Sequence, residues 1–257
     1  MNSVVLVGAG NVAWHLGHHL VGAGFHVVQV LNRSRENGIR LAQELKAPYC
    51  SDADSMNPEA DLYILAVSDD SLGKVLNGGR FRQKGLVVHT SGSVSMNIFE
   101  GRALNFGVLY PLQTFTRGKA VSFKEVPLFV EANRSENLAK LEFVASKLSD
   151  SVHRADSAMR LQLHVAAVFA SNFSNHLFSI ADELLSEKGL SFDVLKPLIR
   201  ETLSKAMIMP PRDAQTGPAV RGNMAILEKH LEMLLPHPEL REIYRLISER
   251  ILSTRKI

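Results

Sequence analysis

The residues Val4-Val5-Leu6-Val7-Gly8-Ala9-Gly10-Asn11-Val12-Ala13 constrain the fold of this chain more than any others. A run of aliphatic residues ending at glycine reads as a buried strand, and the G-x-G-x-x-A sequence that follows opens a helix. Each position of that run has a steric reason. Gly8 permits the tight turn, Gly10 lets the backbone approach a pyrophosphate, and Ala13 lets the helix pack closely on the strand. From Asn11 and Val12 onward, the first turn presents unpaired N–H groups and the positive end of the helix dipole to phosphates. The pattern implies a dinucleotide-binding strand–turn–helix unit.

A second strand is expected at 26–31, and it runs into Asn32-Arg33-Ser34-Arg35. An NAD-binding unit usually places an acidic residue here for the ribose 2′-hydroxyl, but no carboxylate occurs before Glu36. Asn32 borders the site, Arg33 can stack on adenine and pair with a 2′-phosphate, Ser34 can donate to it, and Arg35 can assist. The loop therefore favours NADP as cofactor. Two blander readings stay open: the arginines can be solvated loop charges, and Ser34 is suited to N-cap the helix expected over 35–45. A strand at 62–67 ends in Val67 and Ser68. The crevice beyond the carboxyl ends of such strands receives the ligand, so these two residues are expected beside the nicotinamide half. Asp70 or Ser71 can equally serve as a helix cap.

Further strands are expected at 86–89, 106–109 and 128–130, with a helix near 135–148. Beyond Asp156 the strand signals stop, and helices are expected at 157–187, 192–207, 223–235 and 238–253. The predicted architecture is α/β, a Rossmann doubly wound sheet at 1–154 followed by an all-helical domain at 155–257. The 29 basic and 26 acidic residues give a formal charge of +3 and never gather into a like-charged run, so neither nucleic acid nor a membrane surface is expected as a partner. No Asp, Glu, Lys or Arg lies between Arg160 and Asp182, but Gln162, His164, Ser171, Asn172, Asn175 and His176 are too polar for a lipid-facing span. A helix buried inside protein is expected there. Cys50 is the one cysteine, so no internal disulfide is possible and a cytoplasmic setting is expected.

These residues make the first half similar to the superfamily of two-domain dehydrogenases that includes 6-phosphogluconate dehydrogenase, pyrroline-5-carboxylate reductase, ketopantoate reductase and the deazaflavin-dependent NADP oxidoreductases. Four further segments, Val88-His89-Thr90-Ser91-Gly92-Ser93, Tyr110-Pro111-Leu112-Gln113-Thr114-Phe115, the run from His164 to Asn172 and the run from Thr216 to Asn223, resemble a largely uncharacterised family with a Rossmann-like domain and a helical domain of unknown function. The resemblance spans nearly the whole chain. It implies an NADP-dependent oxidoreductase, and for some members reduction of ketopantoate. Two positions depart from the family pattern: Tyr110 stands where a histidine is expected, and Asn223 where related families carry aspartate.

Hydride transfer to a carbonyl or imine needs a donor that polarises or protonates the heteroatom. On a helical wheel His164, Val168, Ser171, Asn172, Asn175 and Ser179 share a face. That face suggests His164 as the acid and Asn172 as an orienting group, the alternative being a polar contact between helices. Ser91 and Gln113, which follow strand ends, and Arg221, suited to a carboxylate, are candidate contacts for a small-molecule substrate. The lysine that hydroxy-acid relatives carry on this helix is missing. His15, His18 and His19 have the wrong spacing for a metal site, so no metal is expected and they read as surface residues. The function expected is hydride transfer to a small carbonyl or imine compound by a homodimer joined through its helical domain. The alternatives are ketopantoate reductase and a non-catalytic NADP-binding sensor or scaffold.

Overall fold

The computed structural model describes residues 1–78, 81 and 85–254. Its first half is one eight-stranded sheet in the order β3-β2-β1-β4-β5-β6-β7-β8. The strands are β1 (Ser3–Val7), β2 (His26–Leu31), β3 (Tyr49–Cys50), β4 (Leu62–Leu65), β5 (Leu86–His89), β6 (Asn105–Pro111), β7 (Leu128–Ala132) and β8 (Val152–Arg154). All neighbours pair in parallel except β6 and β7.

Alternation along β1 shows why the sheet is covered on both faces. Val4 and Leu6 enter one core with Leu16, Leu20 and Leu41, whereas Val5 and Val7 enter the other with Leu72 and Leu76. Helices α1 (Asn11–Gly22), α2 (Arg35–Glu44) and α4 (Ser135–Leu148) feed the first core, and α3 (Asp69–Gly78) feeds the second. Both faces of a parallel sheet must be buried, and this doubly wound arrangement achieves it. The expected α/β class is therefore the observed one.

After β8 the described residues are helical: α5 (Ser157–Ala167), a π-helical stretch at Val168–Phe173, α6 (Ser174–Ser186), α7 (Lys196–Ile208), α8 (Pro218–Arg221), α9 (Met224–Met233) and α10 (Pro238–Thr254). The strands end at Arg154, whereas the two compact units of the chain divide between Asn172 and Phe173. Helix α5 belongs to the first unit because its buried Arg160 is bonded to Ser91, Val94 and Glu131 of the α/β half.

Two expectations for this region are corrected. The single helix at 157–187 is interrupted, because the π stretch adds one residue to its turn, so the polar face drawn on an uninterrupted wheel does not extend past Ala167. Nor is the helix buried: Leu161, Val165, Phe169 and Phe173 are all exposed. No helix among the described residues is long and apolar enough to cross a membrane.

Candidate dinucleotide cleft and adjoining polar cluster

The carboxyl ends of β1, β2 and β4 border a cleft of about 440 Å³. At the end of β1, Gly8 has φ of 112°, and a Cβ there would lie 2.2 Å from the carbonyl oxygen of Ala66. Only glycine allows this turn to pass so close to β4. Gly10, the N-cap of α1, differs in kind: a Cβ built on it meets no atom within 4 Å. It opens onto free space, the room a close-approaching phosphate group needs. No side chain caps α1 and no acid lies in its first turn, so its backbone donors and dipole are not neutralised from within.

Gly8, Gly10, Asn32, Arg33, Ser34, Val67 and Ser68, seven of the expected cofactor residues, line this cleft together. The other three contribute from behind. Val12 packs on the core, Ala13 is fully buried against it, and the Asn11 amide donates to the carbonyl oxygen of Phe115 at 2.9 Å. Ser34 is the N-cap of α2, yet its hydroxyl makes no capping bond, so the expected cap interaction is absent. Asn32 instead secures the loop, donating to the Ser34 carbonyl at 2.7 Å and accepting from the Tyr49 hydroxyl at 3.0 Å. Lys74 and Ser51 also line the cleft. Lys74 escapes the sequence because a lone lysine on an amphipathic helix carries no binding signal of its own. Among the described lining residues there are two cations, Arg33 and Lys74, and no carboxylate, so the donor set fits a 2′-phosphorylated dinucleotide better than one needing an acid on its ribose.

A second polar cluster forms where β5, β6, β7 and α5 meet. Arg160, only 1% exposed, forms an ion pair with Glu131 and donates to the Ser91 carbonyl at 3.1 Å and to the Val94 carbonyl. Glu131 also accepts from the Ser157 amide at 3.1 Å and from the Ser157 hydroxyl. This network clamps the first turn of α5 to the loop after β5. One turn further on, His164 Nδ1 lies 3.2 Å from the Tyr110 hydroxyl. Gly92 makes room for the pair, since a Cβ there would lie 2.7 Å from both His164 Nδ1 and Tyr110 Cζ. Burial pushes the Tyr110 phenol above its ordinary range, and the Arg160 charge offsets this only in part. Tyr110 therefore stays protonated.

Beneath the loop, His89 is fully buried with Nδ1 accepting from the Ser91 amide at 3.2 Å and Nε2 lacking a partner. Burial lowers its pKa to about 4, helped by the Arg160 charge. The Ser91 hydroxyl accepts from the amides of Ser93 and Val94, both at 3.1 Å, and Ser93 donates to Asp69. Gln113 is exposed and its side chain accepts from the Thr114 amide at 2.8 Å. Asn172 is exposed in the π stretch. In the second unit Arg221 is exposed at the end of α8, and Asn223 caps α9 by accepting from the Ile226 amide at 3.3 Å. That cap gives asparagine a structural role at this position.

The histidines of α1 are not surface residues as expected. His15 is buried with Nε2 3.1 Å from the Thr116 carbonyl oxygen, and His19 packs on Phe123. His18 is half-buried and pairs with Glu44 at 3.3 Å. Inward placement follows from the loop after β6, which crosses α1. No metal-binding group of three or more candidate ligands occurs among the described residues.

A doubly wound sheet whose glycine-bordered crevice faces a cationic loop defines the class as a Rossmann-fold dinucleotide-binding protein. The comparisons with known proteins narrow it. Residues 1–78 match the shikimate / quinate 5-dehydrogenase family, and residues 126–251 match a domain of unknown function, DUF2520. A Bacteroides fragilis protein described as a "putative NADP oxidoreductase" is 43% identical, with 98% of each chain covered and a TM-score of 0.93. The chain belongs to the same family as that protein. A pyrroline-5-carboxylate reductase from Streptococcus pyogenes (15% identity, 98% of each chain, TM-score 0.66) shares the fold. So does an imine reductase from Myxococcus stipitatus, described in complex with NADP+ (15% identity, 99% of this chain and 93% of the other, TM-score 0.64). No curated protein matches the chain.

Proposed function

We propose that the chain is an NADP-dependent oxidoreductase that reduces a small carbonyl or imine compound. The observation that carries this reading is the cleft of about 440 Å³, in which the open backbone at Gly10 and the cation of Arg33 lie on one surface with no lining carboxylate. Family membership with the Bacteroides fragilis protein supports the same cofactor. When bound, NADPH supplies the hydride; the chain supplies binding, orientation and the proton. The N-terminus of α1 receives the pyrophosphate, and Arg33 and Ser34 receive the 2′-phosphate. Val67 and Ser68, which also line the cleft, are assigned in this reading to the nicotinamide half.

In this reading His164 is the proton donor. To give up a proton the ring acts as the imidazolium, with Nδ1–H held by the Tyr110 oxygen. Nε2–H, on the side away from Tyr110, is free to serve the substrate, and its transfer leaves the ring neutral. Asn172 orients the substrate, and Ser91, Gln113 and Arg221 are its proposed contacts. The Ser91 hydroxyl accepts two amide bonds and, because Ser93 donates to Asp69, gives its own proton to the Ser93 hydroxyl at 3.2 Å, so a substrate at Ser91 takes over that bond.

The same reading includes a homodimer joined through the helical region. Phe169 is 65% exposed, Met207 86% and Ile208 74%, apolar surface of the kind that obligate interfaces bury. A cytoplasmic setting is in keeping with the lone cysteine.

The test is direct. NADPH and NADH are titrated against the protein, and NADPH absorbance is then followed with a panel of 2-oxo acids, including ketopantoate, and cyclic imines. The proposal expects preferential NADPH binding and consumption with at least one compound. NADPH binding without turnover on any compound favours a sensor, and no dinucleotide binding overturns the reading altogether.

A further inference from the structure

Arg117 lies on the loop between β6 and β7. Its Nε and Nη2 atoms are buried without a hydrogen-bond partner, and Nη1 reaches only the Asn37 side-chain oxygen, at 3.4 Å. A guanidinium is always charged, and holding one out of water with its donors unpaired is costly. The residue is half-buried, and two of its three guanidinium nitrogens have no partner within the chain, a donor set that an anion can complete.

The location indicates which anion. The residues just before Arg117 are tied to α1, through the Asn11 amide on Phe115 and His15 Nε2 on Thr116. Asn37 belongs to the first turn of α2, and helical side chains lean toward the N-terminus of their helix. Arg117 thus stands beside the N-terminal turn of α2, a ten-residue helix whose N-cap Ser34 makes no side-chain capping bond. Ser34 and its neighbour Arg33 line the dinucleotide cleft. Glu36, the acid of that turn, is exposed and leaves Nε and Nη2 of Arg117 unpaired.

We propose that Arg117 is a specificity-determining residue that binds the 2′-phosphate of NADP together with Arg33 and Ser34. The inference rests on the NADP reading above. It adds a second arginine, brought from a distant loop, to a site that sequence assigns to the turn after β2. With its fork of donors, Arg117 satisfies phosphate oxygens while the phosphate satisfies its buried nitrogens.

The test compares affinities of the full chain for NADPH, NADH, 2′,5′-ADP and 5′-AMP by titration calorimetry. Arg117→Gln is expected to weaken NADPH and 2′,5′-ADP about tenfold and to change NADH and 5′-AMP less than about twofold. Arg117→Lys, which keeps the charge but not the fork, is expected to recover part of the loss. The unliganded Arg117→Gln protein is expected to melt no lower than the unmodified one, because two buried unpaired donors have been removed, while the rise in Tm caused by 2′,5′-ADP shrinks. Equal weakening of NADPH and NADH, or no weakening of either, overturns the assignment of Arg117 alone, provided the unmodified protein prefers NADPH. If the unmodified protein binds neither dinucleotide, the cofactor reading falls and this inference falls with it.

Discussion

The hydroxyl of Tyr110, on β6, lies 3.2 Å from Nδ1 of His164, on α5. The two residues are 54 positions apart, and the contact holds the orientation of the imidazole ring. Tyr110 is thus a positioning residue for the proposed donor, not itself the donor. Replacing His164 with Ala is expected to lower turnover by about 10²- to 10⁴-fold with NADPH affinity nearly unchanged. Tyr110→Phe keeps the ring and loses the hydrogen bond that orients the imidazole, so turnover is expected to fall by about tenfold with its pH profile shifted. A profile identical to that of the unmodified enzyme would exclude this role.

Breaking the buried ion pair between Arg160 and Glu131 has a larger structural effect. Arg160→Met leaves the Glu131 carboxylate and the carbonyls of Ser91 and Val94 without their cation. Loss of one partner of such a pair costs about 3–5 kcal/mol. Urea unfolding monitored by circular dichroism measures it, and a loss under about 1 kcal/mol would show that the network contributes little.

His89 gives the fold a titration of its own. Its pKa falls from 6.5 to about 4 on folding, so the unfolded chain binds more protons between those values. Stability from this group is complete above about pH 6.5 and declines as pH falls toward 4, by about 3 kcal/mol over the window. His89→Asn keeps an acceptor near the Nδ1 position for the Ser91 amide and removes the titration. Unfolding free energies measured across the window should then show a flatter dependence in the variant than in the unmodified protein.

Cofactor choice is tested at Arg33. The unmodified protein is expected to bind NADPH at least about tenfold more tightly than NADH, about 1.4 kcal/mol. Arg33→Asp should narrow or invert that ratio by repelling the 2′-phosphate and offering a carboxylate to a 2′-hydroxyl. Equal affinities in the unmodified protein would remove the basis for the NADP assignment.

Sedimentation at micromolar concentration with cofactor present is expected to show a dimer. Changing Phe169 and Met207 together to Ser should shift the species toward monomer while far-ultraviolet circular dichroism stays the same. A monomeric unmodified protein would count decisively against the proposed homodimer.

The α/β half was largely legible in the residues because its determinants are local. The aliphatic runs of β1, β2 and β5, the glycines at 8 and 10, and the absence of a carboxylate before Glu36 all act over a few positions. Short strands such as β3 and β8 escaped, since two or three residues carry no alternation to read and are ordered by their neighbours. Helix α3 is announced in sequence only by the cap candidates Asp70 and Ser71, which the structure places inside its first turn, and Lys74 carries no signal there. The π stretch at Val168–Phe173 has the composition of an α-helix, so a wheel continued from His164 to Ser179 runs past the end of α5 at Ala167.

Charges and distances between remote segments were decided by tertiary structure alone. Arg160 reads as the last charge before an apolar run until β7 places Glu131 against it, and His15 reads as exposed until the loop after β6 covers it. Tyr110 departs from the family pattern in sequence, yet in space it meets His164 because Gly92 leaves the gap between them. Arg117 is an ordinary loop arginine until its nitrogens are buried beside α2, 80 positions away in the chain. Sequence patterns report backbone geometry and periodic burial, which are local. The protonation, pairing and tautomer of a side chain depend on groups that only the folded chain brings within a few ångströms.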